Sequence, residues 1–392
     1  MKKRLLIVVA AMGLIGLVGW VSTKPDVGPA VSGRTLGVPK KVAGVANVGP
    51  KQTVSPMSED RAQITRSLAS ALTAMRQGKP AEVEAVLAQL DEMLDGKKGH
   101  AEVAIAAILE FLKIGQDAAT GRGFIIGDGG ILAESTTLRV YLMDKLGQLS
   151  REVGSEAALG VAREVLRNFG SADEWAVSMR NVAWADPASR EFLQDRVSAM
   201  LSHREWREQP STGMLEAFDV IVHTGAMVTV SELGQLVSVR NSPLARASSV
   251  ALDRLSGQSG LELTTLLNQQ PELLAAVPLL RADLFAHANL AVPAQREQLE
   301  IYLLRPEVDA KERRKFFNSL IQTGQFLSNN LITPVASSET PDQAAARLDV
   351  LTRAVNGWLR DGRFTTLTGE LTALGTKVNR VIDQIGTDKI SK

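Results

Sequence analysis

From residue 58 onward, apolar positions recur every three or four residues. Ile64, Leu68, Leu72 and Met75 form one such stripe; Gly78 closes it, and Pro80 opens a second carried by Val83, Val86, Leu87, Leu90 and Leu94. The two stripes predict a helical hairpin. Over residues 101–114 nearly every turn is apolar, through Ile105, Ile108, Leu109 and Leu112, which predicts a helix covered on more than one side.

Further along, polar punctuation marks where helices begin. Ser171 with Glu174, Thr229 with Glu232, Ser259 with Glu262 and Thr340 with Gln343 have capping-box spacing, in which each side chain satisfies an amide that the helix start leaves unpaired. Asp186-Pro187, Ser242-Pro243 and Thr340-Pro341 set a capping residue before proline at the first helical position. Helices are expected near 156–169, 172–184, 188–202, 212–224, 230–239, 243–256, 260–268, 278–289, 294–304 and 309–323. They pair off. The second members start near Thr136, Ala172, Thr212, Pro243, Pro278 and Asp309, an irregular period of about 35 residues of the kind two-helix repeats give.

Two of these second helices share a local signature: Leu142-Met143-Asp144-Lys145-Leu146 and Ala251-Leu252-Asp253-Arg254-Leu255. The stretch from Ser242 to Leu255, with its basic residue, small residues and late Leu, resembles the second helix of a HEAT repeat. The resemblance covers roughly residues 134–323, is degenerate in every copy, and implies an all-α, α-solenoid fold of antiparallel helix pairs. Physical logic leads to the same place, since a two-helix unit buries both apolar faces only by stacking on its neighbours. Aromatic residues make up 4% of the chain, which suits close Leu, Val and Ala helix layers better than a β-sandwich.

One segment breaks the helical pattern. In residues 120–132, Phe124 to Ile126 and Ile131 to Leu132 flank Gly127-Asp128-Gly129-Gly130, a turn composition that predicts a short hairpin or wide loop. Gly121-x-Gly123 lacks the third glycine of a dinucleotide fingerprint, and no Gly-Lys-Ser/Thr follows. A structural turn is preferred to a ligand loop.

The N-terminus differs from all of this. Lys2, Lys3 and Arg4 precede an uncharged run over residues 5–21, about 25 Å as a helix. The run reads as a signal anchor, with Trp20 at the interface and no small-x-small cleavage pattern after it, or else as a signal peptide cleaved near residue 23. Either exports the rest of the chain. Residues 24–57 interleave Pro and Gly and carry Lys24, Arg34, Lys40, Lys41 and Lys51 against Asp26 alone, a basic linker beside the presumed membrane. The expected layout continues with a helical hairpin and Gly-rich loop over 58–133, helical repeats over 134–333, a short linker over 334–341 and a C-terminal helical pair over 342–392. In that pair Leu348, Leu351, Val355 and Leu359 form one stripe, and Leu367, Leu371, Leu374, Val378 and Ile382 the other; capping the array is their simplest role.

Composition narrows the chemistry. With 44 Lys+Arg against 43 Asp+Glu the formal net charge is +1, without the basic excess of a nucleic-acid binder. No cysteine is present, so disulfides, thiolate catalysis, Cys-ligated zinc and lipoprotein acylation are excluded. His100, His203, His223 and His287 are far apart and read as surface or capping residues. No Gly-x-Ser-x-Gly elbow and no Ser-x-x-Lys pair occurs. The run Lys311-Glu312-Arg313-Arg314-Lys315 reads as the solvated face of a helix whose buried side holds Phe316 and Leu320.

Recognition is therefore the expected chemistry, and Trp175, Trp184 and Trp206 are the candidate partner-binding residues, because tryptophan is enriched at binding hot spots. Trp175 and Trp184 are nine apart on one helix and face opposite sides, so one of them is a candidate for a binding face. The expectation is a scaffold or adaptor for another protein, held in a bacterial-type inner membrane through residues 5–21 with its bulk outside the cytoplasm. No enzymatic activity, cofactor, metal, nucleic acid or small-molecule ligand is expected. The main alternative is a hydrolase or lyase acting on a cell-envelope glycan, with carboxylates gathered on the concave face.

Overall fold

Among the described residues, helices account for almost all regular structure, as the 3.6-residue periodicity requires. The computed structural model describes residues 56–94, 100–239, 241–321, 330–334 and 339–390. These lie within the unit Val54–Lys392. The expected anchor over residues 1–23 and nearly all of the linker over 24–57 lie outside the described residues. Among the described residues no helix is long and apolar enough to cross a membrane.

The N-terminal hairpin forms as the stripes demand. α1 (Pro56–Gln77) ends at Gly78, whose φ of +68° supplies the left-handed turn, and α2 (Pro80–Leu94) starts on its proline. Ile64, Leu68, Leu72 and Met75 of α1 are buried together with Val83, Leu87, Leu90 and Leu94 of α2. α3 (Ala101–Ile114) is covered by both α1 and α4, which explains its nearly continuous apolar character. The glycine-rich segment is a small hairpin: β1 (Ile125–Ile126) pairs antiparallel with β2 (Leu132–Glu134), with Ile125 opposite Glu134 and Ile126 opposite Leu132.

The helices that follow are α4 (Leu138–Val153), α5 (Ala157–Val165), α6 (Ala172–Ala185), α7 (Arg190–Ser202), α8 (Arg204–Glu208), α9 (Thr212–Glu216), α10 (Asp219–Thr224), α11 (Val230–Ser238), α12 (Pro243–Gln258), α13 (Gly260–Gln269), α14 (Pro278–Ala286), α15 (Pro293–Leu303) and α16 (Ala310–Ile321). Their bounds lie within a few residues of the periodicity except at α8, which it does not predict, and over 212–224, where Ala217 and Phe218 separate α9 from α10. The second member of each expected pair packs on the next. α4 meets α6, α6 meets α9, α9 and α10 meet α12, α12 meets α14, and α14 meets α16. α5, α7, α11, α13 and α15 flank this central row. At its middle α6 is enclosed, with Trp175, Ala176, Val177, Met179 and Val182 all at 0% exposure. Gly147 of α4 permits that closeness, since a Cβ there would overlap the Asn181 side-chain amide of α6.

Caps follow the sequence in part. Ser171 accepts from the Glu174 amide, and Thr340 with Gln343 makes a full capping box at the start of α17 (Pro341–Arg360). Thr229 and Ser259 make no side-chain cap. The Thr229 hydroxyl donates to the Ala226 carbonyl instead, and Ser259 sits with φ −126° and ψ 43°, away from the usual capping conformation. α17 packs against α18 (Thr368–Ile390), and α18 packs on α16. Leu348, Leu351 and Val355 are buried as expected, but Trp358 rather than Leu359 completes the stripe; Leu359 is exposed. Trp358 Nε1 donates to Glu300 at 3.0 Å, tying the C-terminal pair to α15.

Candidate functional site

Acidic side chains on these helices meet a basic side chain or a histidine on or just past a following helix, about 35 residues further along the chain. Asp144 of α4 pairs with Arg180 of α6, and Asp219 of α10 pairs with Arg254 of α12 at 2.7 Å. Asp253 of α12 lies 3.5 Å from His287, just past α14, and Asp283 of α14 accepts from Lys315 of α16 at 2.7 Å. This arrangement gives the shared apolar-apolar-Asp-basic-Leu signature a physical meaning. In both places the Asp reaches forward beyond its own helix, to the Arg180 guanidinium or the His287 imidazole, and the basic residue reaches back to a carboxylate. Lys145 binds Asp91 of α2 at 2.8 Å, as Arg254 binds Asp219.

The first rung is wholly buried. The Asp144 carboxylate also accepts from the Leu132 amide at 3.2 Å and from Gln148 at 2.6 Å, while Arg180 donates to the Gly130 carbonyl at 2.7 Å and to Asn181. Burial lowers the Arg180 pKa, and Asp144 opposes that shift. The β1–β2 loop is thereby a structural turn, clamped by Arg180 through its Gly130 carbonyl.

The second rung holds a piece of chain. Residues 330–334 lie against Asp219, which accepts from the amides of Ile332 at 2.6 Å and Thr333 at 2.9 Å and from the Thr333 hydroxyl at 2.6 Å. Arg254 donates to the same hydroxyl. Leu331 is completely buried. Its carbonyl oxygen rests on Gly130, where a Cβ would overlap it. Gly130 has φ +82°, a second reason for glycine there.

Carboxyl groups around this rung are perturbed. Burial pushes the Glu216 pKa up, Asp219 adds to the rise and Arg254 opposes it. Burial likewise raises Asp253, with His287 and Arg254 opposing and Asp283 adding. His223 is pushed below the ordinary imidazole value by burial, with Asp219 opposing and Arg190 assisting.

The candidate tryptophans divide. Trp175 is at 0% exposure and offers no surface; its Nε1 donates to the Asn168 carbonyl at 2.8 Å. It stacks at 4.7 Å on Phe169, which also stacks at 4.7 Å on His203, and Trp206 meets Trp175 edge-on at 5.3 Å. Trp206 is half-buried, and Phe169 is 48% exposed. Trp184 lies half-buried on another side, under the Arg180 guanidinium at 4.1 Å and Arg151 at 5.2 Å. The three therefore do not form one patch. Among the histidines, His203 acts as a cap, its Nδ1 accepting from the Trp206 amide.

The charge run on α16 is not a purely solvated face. Phe316 and Leu320 are buried as expected, but so is Glu312, which receives two bonds from Arg281 at 2.7 and 2.8 Å and one from Tyr302 at 2.9 Å. Burial beside Glu312 strongly raises the Tyr302 pKa, so the phenol remains a donor. Among the described residues no group of three or more His, Asp or Glu is disposed to hold a metal ion. No family model, curated protein or solved structure matches the chain.

Proposed function

We propose that the chain is an exported, membrane-tethered α-solenoid of HEAT-like helix pairs, acting as a scaffold or adaptor for another protein in the cell envelope. The successive packing of α4, α6, α9, α12, α14 and α16 supports the solenoid. The basic flank and uncharged run of residues 2–21 support the tether.

The observation that carries the recognition reading is the Asp219–Arg254 rung, which holds two consecutive main-chain amides of a bent, non-helical segment. A row of helices that presents polar groups at one-repeat spacing is suited to binding along a line. Trp206 and Phe169 add a partly exposed aromatic patch, and Trp184 a second partly exposed ring.

Cross-linking in intact cells, followed by membrane fractionation and identification of linked proteins, tests this reading. The expected result is a membrane-bound full-length chain linked to a discrete partner. A soluble chain linked to nothing would reject it.

Hydrolysis or lysis of an envelope glycan has one observation in its favour, the raised Glu216 carboxyl beside Asp219. Asp219, however, is already engaged by Ile332, Thr333 and Arg254. Loss of glycan turnover in Glu216→Gln, with folding intact, would favour the enzyme.

A further inference from the structure

Residues 330–334 sit on the central row in the manner of a bound peptide. The contacts fall into three kinds. One carboxylate oxygen takes two consecutive main-chain amides, a contact that requires the chain to bend at residues 331–333 so that both N–H groups converge, and that any such bend without proline at those two positions can make. One aliphatic side chain, Leu331, is buried completely, and one hydroxyl, that of Thr333, donates to Asp219 while accepting from Arg254. Gly130 removes the side chain that would otherwise keep the segment away.

The electrostatics specify the occupant further. Asp219 and Arg254 neutralise one another, and residues 330–334 carry no charge. A charged residue at the Leu331 position would lose its hydration with no counter-ion provided by this rung. The seat therefore fits a neutral, bent segment with an aliphatic residue, any residue other than proline, and then a threonine or serine.

We propose that the seat formed by Gly130, Asp219 and Arg254 is a docking site for such a segment of a partner protein, and that residues 330–334 occupy it in its absence. The proposal rests on the adaptor reading and names the chemistry of the partner. A strap in the same chain has a high local concentration, so the partner's segment must outcompete it, and the free seat is hidden until it does.

The test uses the full chain with Leu331→Gly and Thr333→Gly, which vacates the seat. The probe is a fluorescent peptide of the sequence Asn-Asn-Leu-Ile-Thr-Pro-Val. The vacated protein is expected to bind it saturably and the unaltered protein about tenfold or more weakly. Binding is expected to vanish when Ala replaces Leu and Thr in the peptide or when Asp219→Asn is added to the protein. A vacated protein that keeps its helical circular dichroism and cooperative melt, yet binds nothing, overturns the proposal.

Amide hydrogen exchange of the unaltered chain supplies an independent readout should the variant not fold. The Ile332 and Thr333 amides are expected to exchange at least about a hundredfold faster than that of Leu252, because the strap opens without unfolding the row. Equal rates would make the strap a fixed part of the fold and overturn the proposal. A cellular partner cross-linked only near Trp184 would also overturn it, while leaving the adaptor reading standing.

Discussion

Asp144 and Arg180 form an ion pair whose side chains are 2% and 0% exposed, joining α4 to α6 across 36 residues of chain. Removing either partner leaves the other charged, buried and unmatched. Asp144→Leu is expected to destabilise the fold by about 3–5 kcal/mol, and the double variant Asp144→Leu with Arg180→Met by clearly less. Urea denaturation of both variants beside the unaltered protein measures this. Equal loss in the single and double variants would show that packing volume, not the stranded guanidinium, sets the cost.

Two of the three glycines in the β1–β2 loop separate strain from close approach. Gly129 and Gly130 both have positive φ, at +65° and +82°, but only at Gly130 would a Cβ strike another part of the chain. Gly129→Ala is expected to cost about 1–2 kcal/mol of backbone strain and leave residues 330–334 in place. Gly130→Ala adds the collision with the Leu331 carbonyl, so amide exchange at Ile332 and Thr333 should accelerate in this variant alone.

The helices were legible because amphipathic spacing, caps and proline positions are local, and they fix helix bounds within a few residues over 230–303. The paired signature around Asp144 and Asp253 was visible too, but its meaning was not. Each member binds a group about one repeat away, and spacing alone does not say which side chains converge. Asp219 carries no local pattern at all, and its partners Ile332 and Thr333 lie more than a hundred residues further on. Glu312 misled for a related reason. Among four basic neighbours it looked solvated, yet Arg281 and Tyr302 from other helices draw it inward.

The tryptophans are expected to differ in kind when truncated. Trp175→Ala removes a fully buried ring from between α6 and the Phe169–Trp206 cluster and should cost about 3–5 kcal/mol. Trp184→Ala loses a half-buried ring whose specific contribution is cation–π contact with Arg180 and Arg151, about 1–2 kcal/mol. Thermal or urea unfolding ranks them, and a Trp184→Ala loss as large as that of Trp175→Ala would contradict the burial difference.

Acid and base titration should pull stability in opposite directions around Asp219. Burial raises Glu216 above its ordinary value of 4.5, so the folded state keeps a proton that the unfolded chain releases. Its contribution is therefore full at lower pH and is lost as pH rises through the folded pKa. His223 is lowered below 6.5 by burial, so the folded imidazole stays neutral where the unfolded one charges; its contribution is full at higher pH and lost as pH falls through the folded pKa. Glu216→Gln should accordingly raise the urea midpoint at pH 7 relative to the unaltered protein and change it little at pH 4. His223→Gln should flatten the decline on the acid side of pH 6.5 and leave pH 8 nearly unchanged. Both groups face Asp219, with Arg254 beside Glu216 and Arg190 beside His223. Asp219→Asn should therefore lower the pH at which each titrates, because its negative charge favours the protonated form of both. A midpoint gain for Glu216→Gln at pH 4 but not at pH 7, or for His223→Gln at pH 8 but not below pH 6.5, would contradict this assignment.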